Sequence, residues 1–404
     1  MKKSTKFLSL LLAGVLTVGS LAGCGGDKAA SDSAASGSDS AKTEESASGE
    51  VFKIGGIGPT TGAAAIYGQA VKNAMELAVN EINEAGGING VQVEMKFEDD
   101  EHDAEKSVNA YNTLKDWGMQ ALLGTVTSTP CIAVAAEATN DNMFLLTPSG
   151  SAVDCVAAEN AFRVCFSDPG QGAASAQYIG ENKLASKVAV IYDSSDVYSS
   201  GIYEKFAAEA ANQGFEIVSA EAFTADNNKD FSTQLQKAKD AGAELVFLPI
   251  YYTEAALILG QADKMGYDPT FFGCDGMDGI LTVENFDTAL AEGVMLLTPF
   301  AADAEDEATQ NFVSTYKEKY GDIPNQFAAD AYDGMYAIKA AFEKAEVTPD
   351  MSASDICEAV KPAMTEITVQ GLTGGEDGIT WTADGEPNKS PKAVVIKDGA
   401  YTAM

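Results

Sequence analysis

The side chains able to do chemistry are few, and their spacing favours holding a ligand over transforming one. A single histidine, His102, sits in "FEDDEHDAEKS", among charged residues just ahead of a helical stretch. It joins no nucleophile–base pair that can be named, and one histidine cannot build a multi-histidine metal centre. The acidic run from Glu98 to Asp103 lacks the alternating Asp/Asn-x-Asp/Asn-x-Gly order of a calcium loop, so it reads as a solvated turn in which Asp103 caps the next helix. No G-x-x-x-x-G-K-S/T occurs, and "GGIGPTTGAAA" places its glycines at 56, 58 and 62, one residue too long for a dinucleotide loop. That stretch reads as a tight strand-to-helix turn. No catalytic residue, metal or cofactor is expected. What remains is a set of hydroxyls and a carboxylate: Ser128 in "LLGTVTSTPCIAV", Ser149 and Ser151 in "LLTPSGSAVD", and Asp275 in "TFFGCDG". With Thr129 as N-cap and Pro130 as first helical residue, the helix start beside Ser128 is an anion site made of free N–H groups. The serines add neutral hydrogen bonds, and Asp275 can receive an ammonium group. Together these are the parts of a grip for a zwitterion.

The elements that position these residues alternate strand and helix. "VFKIGGIG", "VQVEMKF", "ALLGTV" and "MFLLTP" read as strands, separated by helical patterns over Ala63–Ala85, Ala104–Trp117 and Pro130–Asn140. Gly86-Gly87 stops the first helix. The rhythm returns with "KVAVIYD", "EIVSAEAF", "ELVFLPI", "TFFGCDG" and "GVMLLTPF", with helices over Tyr203–Asn212, Phe231–Ala241 and Glu254–Met265. Two β-α-β series predict two α/β lobes with parallel sheets. Three helical stretches follow, Glu305–Tyr320, Ala328–Lys344 and Ala353–Met364, then short strands at "GITWT" and "KAVVIKDGAY". Ligands on open parallel sheets bind at the carboxyl ends of strands. That rule selects Thr127-Ser128, Thr147 to Ser151, the residues after Asp193, Tyr251-Tyr252 and Cys274-Asp275.

The chain of 404 residues has 26 basic and 60 acidic side chains, a formal charge of −34. Such a field argues against nucleic acid or anionic surfaces as partners and suits an uncharged or zwitterionic ligand. Lys2, Lys3 and Lys6 precede fifteen uncharged residues, Phe7 to Leu21. That run is short for a bilayer span, which needs roughly 20 residues, and fits a secretory leader. From Gly25 to Glu50 the chain has no aromatic residue and is nearly all Gly, Ala, Ser, Asp, Glu and Lys, a composition that cannot offset its chain entropy by burial. It reads as a flexible tether with a reach of about 25–30 Å. Besides Cys24 there are Cys131, Cys155, Cys165, Cys274 and Cys357. Cys155 and Cys165 are the only pair close in sequence, open either to an extracellular disulfide or to a life as buried thiols.

Leu21-Ala22-Gly23-Cys24 resembles a bacterial lipobox, which implies cleavage before Cys24 and a lipid on its sulfur. From Val51 on, "KIGGIGPTTGAAAIYGQAVKNAMELAVNEINEAGGING", "LLTPSGSAVD", "FRVCFSDPGQG", "DFSTQLQKAK" and "GITWTADGE" resemble the Leu/Ile/Val-type substrate-binding proteins of ABC transporters. The resemblance implies a type I periplasmic binding protein fold: two Rossmann-like lobes joined by three crossovers, near 166–168, 298–301 and 387–391. The expected organisation is a leader at 1–23, a lipid-anchored tether at 24–50, one lobe from 51–166 and 301–388, and the other from 167–300 and 389–404. Carried over by position, the carboxylate-binding serine is Ser128, and the turn holding both charged groups is Ser149, Gly150 and Ser151. The ammonium ligand is Asp275, one methylene shorter than the family's usual glutamate. Tyr198 and Tyr251 line the closed cleft, while Tyr67 and Phe327 surround the ligand side chain; with Tyr251 and Thr127 these would make an apolar pocket rimmed with hydroxyls. A disulfide found in some members would need cysteines at His102 and Thr127, and this chain lacks both. The resemblance implies a monomer on the outer face of a cell membrane that passes an amino acid to ABC permease subunits, or alternatively a tethered sensor that signals to a membrane receptor.

Overall fold

The computed structural model describes residues 50–404; the leader, Cys24 and all but the last residue of the expected tether lie outside the described residues. The chain opens with β1 (Phe52–Gly58), α1 (Ala65–Glu84), β2 (Val93–Asp99), α2 (Ala104–Trp117), β3 (Ala121–Gly124), α3 (Ser128–Asp141), β4 (Leu145–Thr147) and β5 (Ala161–Arg163). These strands form one parallel sheet in the order β2-β1-β3-β4-β5. Next come α4 (Asp168–Glu181), β6 (Lys187–Asp193), α5 (Val197–Ala210), β7 (Glu216–Phe223), α6 (Ser232–Asp240), β8 (Leu245–Leu248), α7 (Tyr252–Lys264), β9 (Thr270–Gly273) and β10 (Met295–Thr298). The helices α8 (Glu307–Tyr320), α9 (Gln326–Lys344) and α10 (Ala353–Met364) return to the first lobe, where α9 packs on α1. The chain then crosses again to add β11 (Lys392–Lys397) and β12 (Ala400–Ala403) to the second sheet, whose order is β12-β11-β10-β9-β8-β6-β7.

Each sheet is buried on both faces, and its central strands show why. Ala121 and Leu123 of β3 face the core beneath α1 and α9, whereas Leu122 faces the one built by α2 and α3. Val246 and Leu248 of β8 likewise point one way and Leu245 and Phe247 the other. Successive side chains on a strand alternate faces, so an unbroken apolar run is what a strand covered by helices on both sides requires. Helix ends are set locally. The Asp103 carboxylate accepts from the Lys106 amide at 2.9 Å, as expected of a cap, and Gly118 ends α2 at φ 91°.

Three features depart from the sequence reading. The segment "GITWT" makes only isolated bridges, Val369 to Ile379 and Trp381 to Pro387, while its Ile379 and Trp381 side chains are buried in the first lobe. The run "KAVVIKDGAY" is two strands, folded back through Asp398 and Gly399 at φ 51° and 74°. Positive φ at both central residues is the two-residue hairpin turn that matches strand twist. Since β11 runs antiparallel to β10, the second sheet is mixed and not wholly parallel. All five described cysteines are buried and free, and Cys155 donates from its thiol to the Ser128 carbonyl at 3.7 Å rather than pairing with Cys165. Among the described residues no helix is long and apolar enough to cross a membrane.

The last passage between the lobes is pinned by charge. The Lys389 ammonium lies 2.6 Å from Asp330 on α9, both side chains 2% exposed, and also donates to the Thr373 hydroxyl. Burial pushes Asp330 up to about 6 against the pull of Lys389. Removing one member of a buried pair leaves an uncompensated charge, typically costing about 3–5 kcal/mol. Lys389→Met should therefore destabilise by that order in denaturant titrations at pH 8. An acid whose folded pKa is raised favours folding below its unfolded pKa and loses that contribution as pH rises through the folded one. The penalty should accordingly shrink at pH 5, where Asp330 is protonated; a penalty independent of pH would mean that the pair contributes packing alone.

Candidate functional site

The strand-end residues of both sheets converge on one cavity. Its first wall is built where β3 runs into α3. The helix begins two residues earlier than the sequence suggests: Ser128 is its first residue and Thr127, in extended conformation, its N-cap, while Thr129 and Pro130 lie inside the first turn. Proline is tolerated there because first-turn N–H groups have no intrahelical acceptor. Thr127 makes no capping bond with its side chain, which instead meets the Nδ1 of His102 at 2.8 Å. The amides of the helix start therefore keep their anion-binding potential.

The Thr147–Ala152 turn sits beside this helix start. Thr147 Oγ1 donates to the Thr125 carbonyl at 2.6 Å and accepts from the Gly150 amide at 2.7 Å. Ser149 Oγ donates to the Val126 carbonyl at 2.6 Å, leaving its lone pairs as acceptors. Ser128 Oγ accepts from the amides of both Ser151 and Ala152, each at 3.2 Å. Its lone pairs are thus occupied, and its proton is free to donate into the cavity. Gly150 stands behind the wall; a Cβ there would come within 2.8 Å of Cys131 Sγ and of Thr147 Oγ1.

The opposite wall comes from the second lobe. Asp275 follows β9 and is 3% exposed. Its Oδ1 accepts from the Tyr198 hydroxyl at 2.7 Å, and that hydroxyl accepts from the Gly276 amide at 2.9 Å. Burial raises the Asp275 pKa to about 7, opposed by the bond from Tyr198. Tyr198 stacks on Tyr251 with centroids 4.8 Å apart and planes 11° from parallel, and the buried Tyr251 hydroxyl has no partner within the protein. Tyr67 packs on Phe327 at 4.2 Å and stands edge-on to Tyr252 at 4.9 Å. The lobes touch here: Tyr67 Oη donates to the Gly276 carbonyl and accepts from the Tyr252 amide, and the Thr253 hydroxyl donates to the Ala63 carbonyl at 3.0 Å.

Of the residues selected from sequence, Tyr67, Thr127, Ser128, Ser149, Ser151, Tyr198, Tyr251, Asp275 and Phe327 line the cavity, and Gly150 does not. Val126 and Gly276 complete it, and among the described residues no lysine or arginine faces it. The cavity measures about 10 Å³, the room one water needs. His102 was expected in a solvated turn. It instead lies between Thr127 and Tyr251, its ring edge-on to the latter at 5.5 Å, and burial lowers its pKa. The strand-end rule would have found it, because it follows the carboxyl end of β2. Positions 102 and 127, where the resemblance would place a disulfide, are therefore joined here by a hydrogen bond.

Two α/β lobes with three passages between them, and a polar cavity closed between facing strand ends, define a solute-binding protein of the type I periplasmic fold. The chain belongs to the periplasmic binding protein family, whose model matches residues 51–400, a family of extracytoplasmic solute-binding proteins. A Leu/Ile/Val-binding protein homolog from Brucella melitensis is 32% identical over 332 residues, covering 80% of this chain and 87% of the relative. The branched-chain amino acid transporter substrate-binding protein of Streptococcus pneumoniae, solved in complex with isoleucine, superposes with a TM-score of 0.79 at 28% identity, over 87% of this chain and 98% of that one. A leucine-binding protein from Thermotoga maritima gives 0.77 at 26% identity, over 88% and 98%.

Proposed function

We propose that this protein captures a branched-chain or other aliphatic amino acid between its lobes and delivers it to the membrane subunits of an ABC permease. The carrying observation is the polarity of the cavity. Hydroxyls and a helix start face it from one lobe, a buried carboxylate from the other, and Tyr67, Phe327 and Tyr251 stand between. This arrangement suits a carboxylate and an ammonium at opposite ends of an apolar side chain. An aliphatic amino acid is far larger than the present cavity, so the lobes must part to admit it, and a ligand touching both walls favours closure through that differential contact.

Calorimetry on the full-length protein tests the assignment. At pH 8, Asp275→Asn keeps an acceptor for Tyr198 but loses the charge; losing one member of a desolvated charge pair typically costs about 2–5 kcal/mol, roughly 30- to several-thousand-fold in affinity. Ser128→Ala removes one donated bond while the helix start remains, so about 1–2 kcal/mol is expected. With Asp275 raised to about 7, only its ionised form pairs with ammonium, so wild-type affinity should fall about tenfold from pH 8 to pH 6. Asp275→Asn should flatten that profile. Normal binding by Asp275→Asn would remove the ammonium assignment.

Location at the membrane is the second part of the proposal. A leader cut before Cys24, a lipid on that cysteine and a polar tether would hold the lobes close to a permease, and the basic start, apolar run and cysteine in order support it. Cys24→Ala should shift the protein from the membrane fraction to the soluble one or block its processing. Full membrane recovery of a processed Cys24→Ala protein would refute the anchor.

A further inference from the structure

The side of the cavity that faces a carboxylate has no cation on it, yet a fully buried guanidinium lies directly behind. Arg163 ends β5 and is 0% exposed. Its Nη1 donates to the Gly150 carbonyl at 3.1 Å and to the Ser151 carbonyl, and its Nη2 to those of Ala152 at 3.0 Å and Val153 at 3.5 Å. One side chain thus holds four consecutive carbonyls. In a trans peptide the C=O and N–H point in opposite directions. Drawing the Gly150 and Ser151 carbonyls to one side therefore turns the Ser151 and Ala152 amides to the other, where both meet Ser128 Oγ. Those two bonds direct the Ser128 proton into the cavity.

The same arginine is tied to the last passage between the lobes. Its Nη2 lies 3.2 Å from the half-exposed Glu386, its amide donates to the Gly385 carbonyl at 3.0 Å, and its carbonyl accepts from Trp381 Nε1 at 2.7 Å. The other buried cation nearby, Lys389, is committed to Asp330. We infer that Arg163 is the positioning residue of the carboxylate grip: without touching the ligand, it orients the 150–152 peptide groups toward Ser128 and backs them with the positive charge that the cavity wall lacks. The inference rests on the amino-acid reading above.

The test is the ratio of affinities of the full-length protein for leucine and for leucinamide, which keeps the ammonium and side chain but not the carboxylate charge. Both ligands draw on the same folded population, so partial unfolding weakens both equally and leaves the ratio unchanged. Wild type should prefer leucine by about 100-fold or more. Arg163→Gln should cut that ratio at least tenfold, and Arg163→Lys, which keeps the charge but cannot hold four carbonyls, should recover part of it. An unchanged ratio in Arg163→Gln overturns the proposal and leaves Arg163 a structural residue. Should Arg163→Gln yield no folded protein, Arg163→Lys decides: a ratio several-fold below wild type supports the positioning role, and a wild-type ratio rejects it. A wild-type ratio near one would instead strike the amino-acid reading itself.

Discussion

A carboxylate sealed from water with no cation beside it sets the terms for the rest of the cleft. Asp275 is buried against the neutral hydroxyl of Tyr198, and its raised pKa is the measure of what desolvation costs it. Among the described residues, the cations buried nearby are already engaged, the Lys389 side chain by Asp330 and Arg163 by the carbonyls of 150–153 and by Glu386. A charge in that position stays costly until a positive group arrives from outside. On the proposed reading, ligand binding would supply that group, and a zwitterion would bring with it a carboxylate for the facing wall.

Each lobe owns a sheet of its own, while one buried apolar cluster, from Phe52 to Ile396, runs through both. Around the cavity the lobes meet through contacts that include Tyr67 with Gly276, Tyr251 and Tyr252, Ile66 with Tyr252, Thr253 with Ala63, Gln326 with Asp275 and Asp278, and the His102 ring against Tyr251. On the proposed reading, a ligand bridging Ser128 and Asp275 would favour closure through contacts made only in the closed state. The buried pair of Lys389 and Asp330 fixes one end of the last passage.

Much of the site was legible because strand ends are recognisable. Ser128, Ser149, Ser151 and Asp275 each follow an apolar run that reads as a buried strand, and the binding rule for parallel sheets brought them together. Gly150 was legible as part of the turn but not in its role, since the close approach of Cys131 exists only in three dimensions. His102 was misread because its acidic neighbours suggest solvent, whereas Asp100 is fully buried and the end of β2 packs beside the start of α3. Arg163 and its strand β5 escaped for related reasons. Three residues carry no periodic signal, and an arginine in sequence suggests surface until the four carbonyls that receive it are seen.

The central claim is that one cavity recognises both charged ends of an amino acid at once. Calorimetric titration of the full-length protein with leucine, with 4-methylpentanoate and with isopentylamine separates the two ends, since each of the latter keeps the side chain and one charge. Leucine should bind at least about a hundredfold more tightly than either fragment, because each fragment leaves one wall's charge or donors unanswered in a dry cleft. If 4-methylpentanoate bound as tightly as leucine, Asp275 would have no ammonium to meet, and the account would fail at its first step.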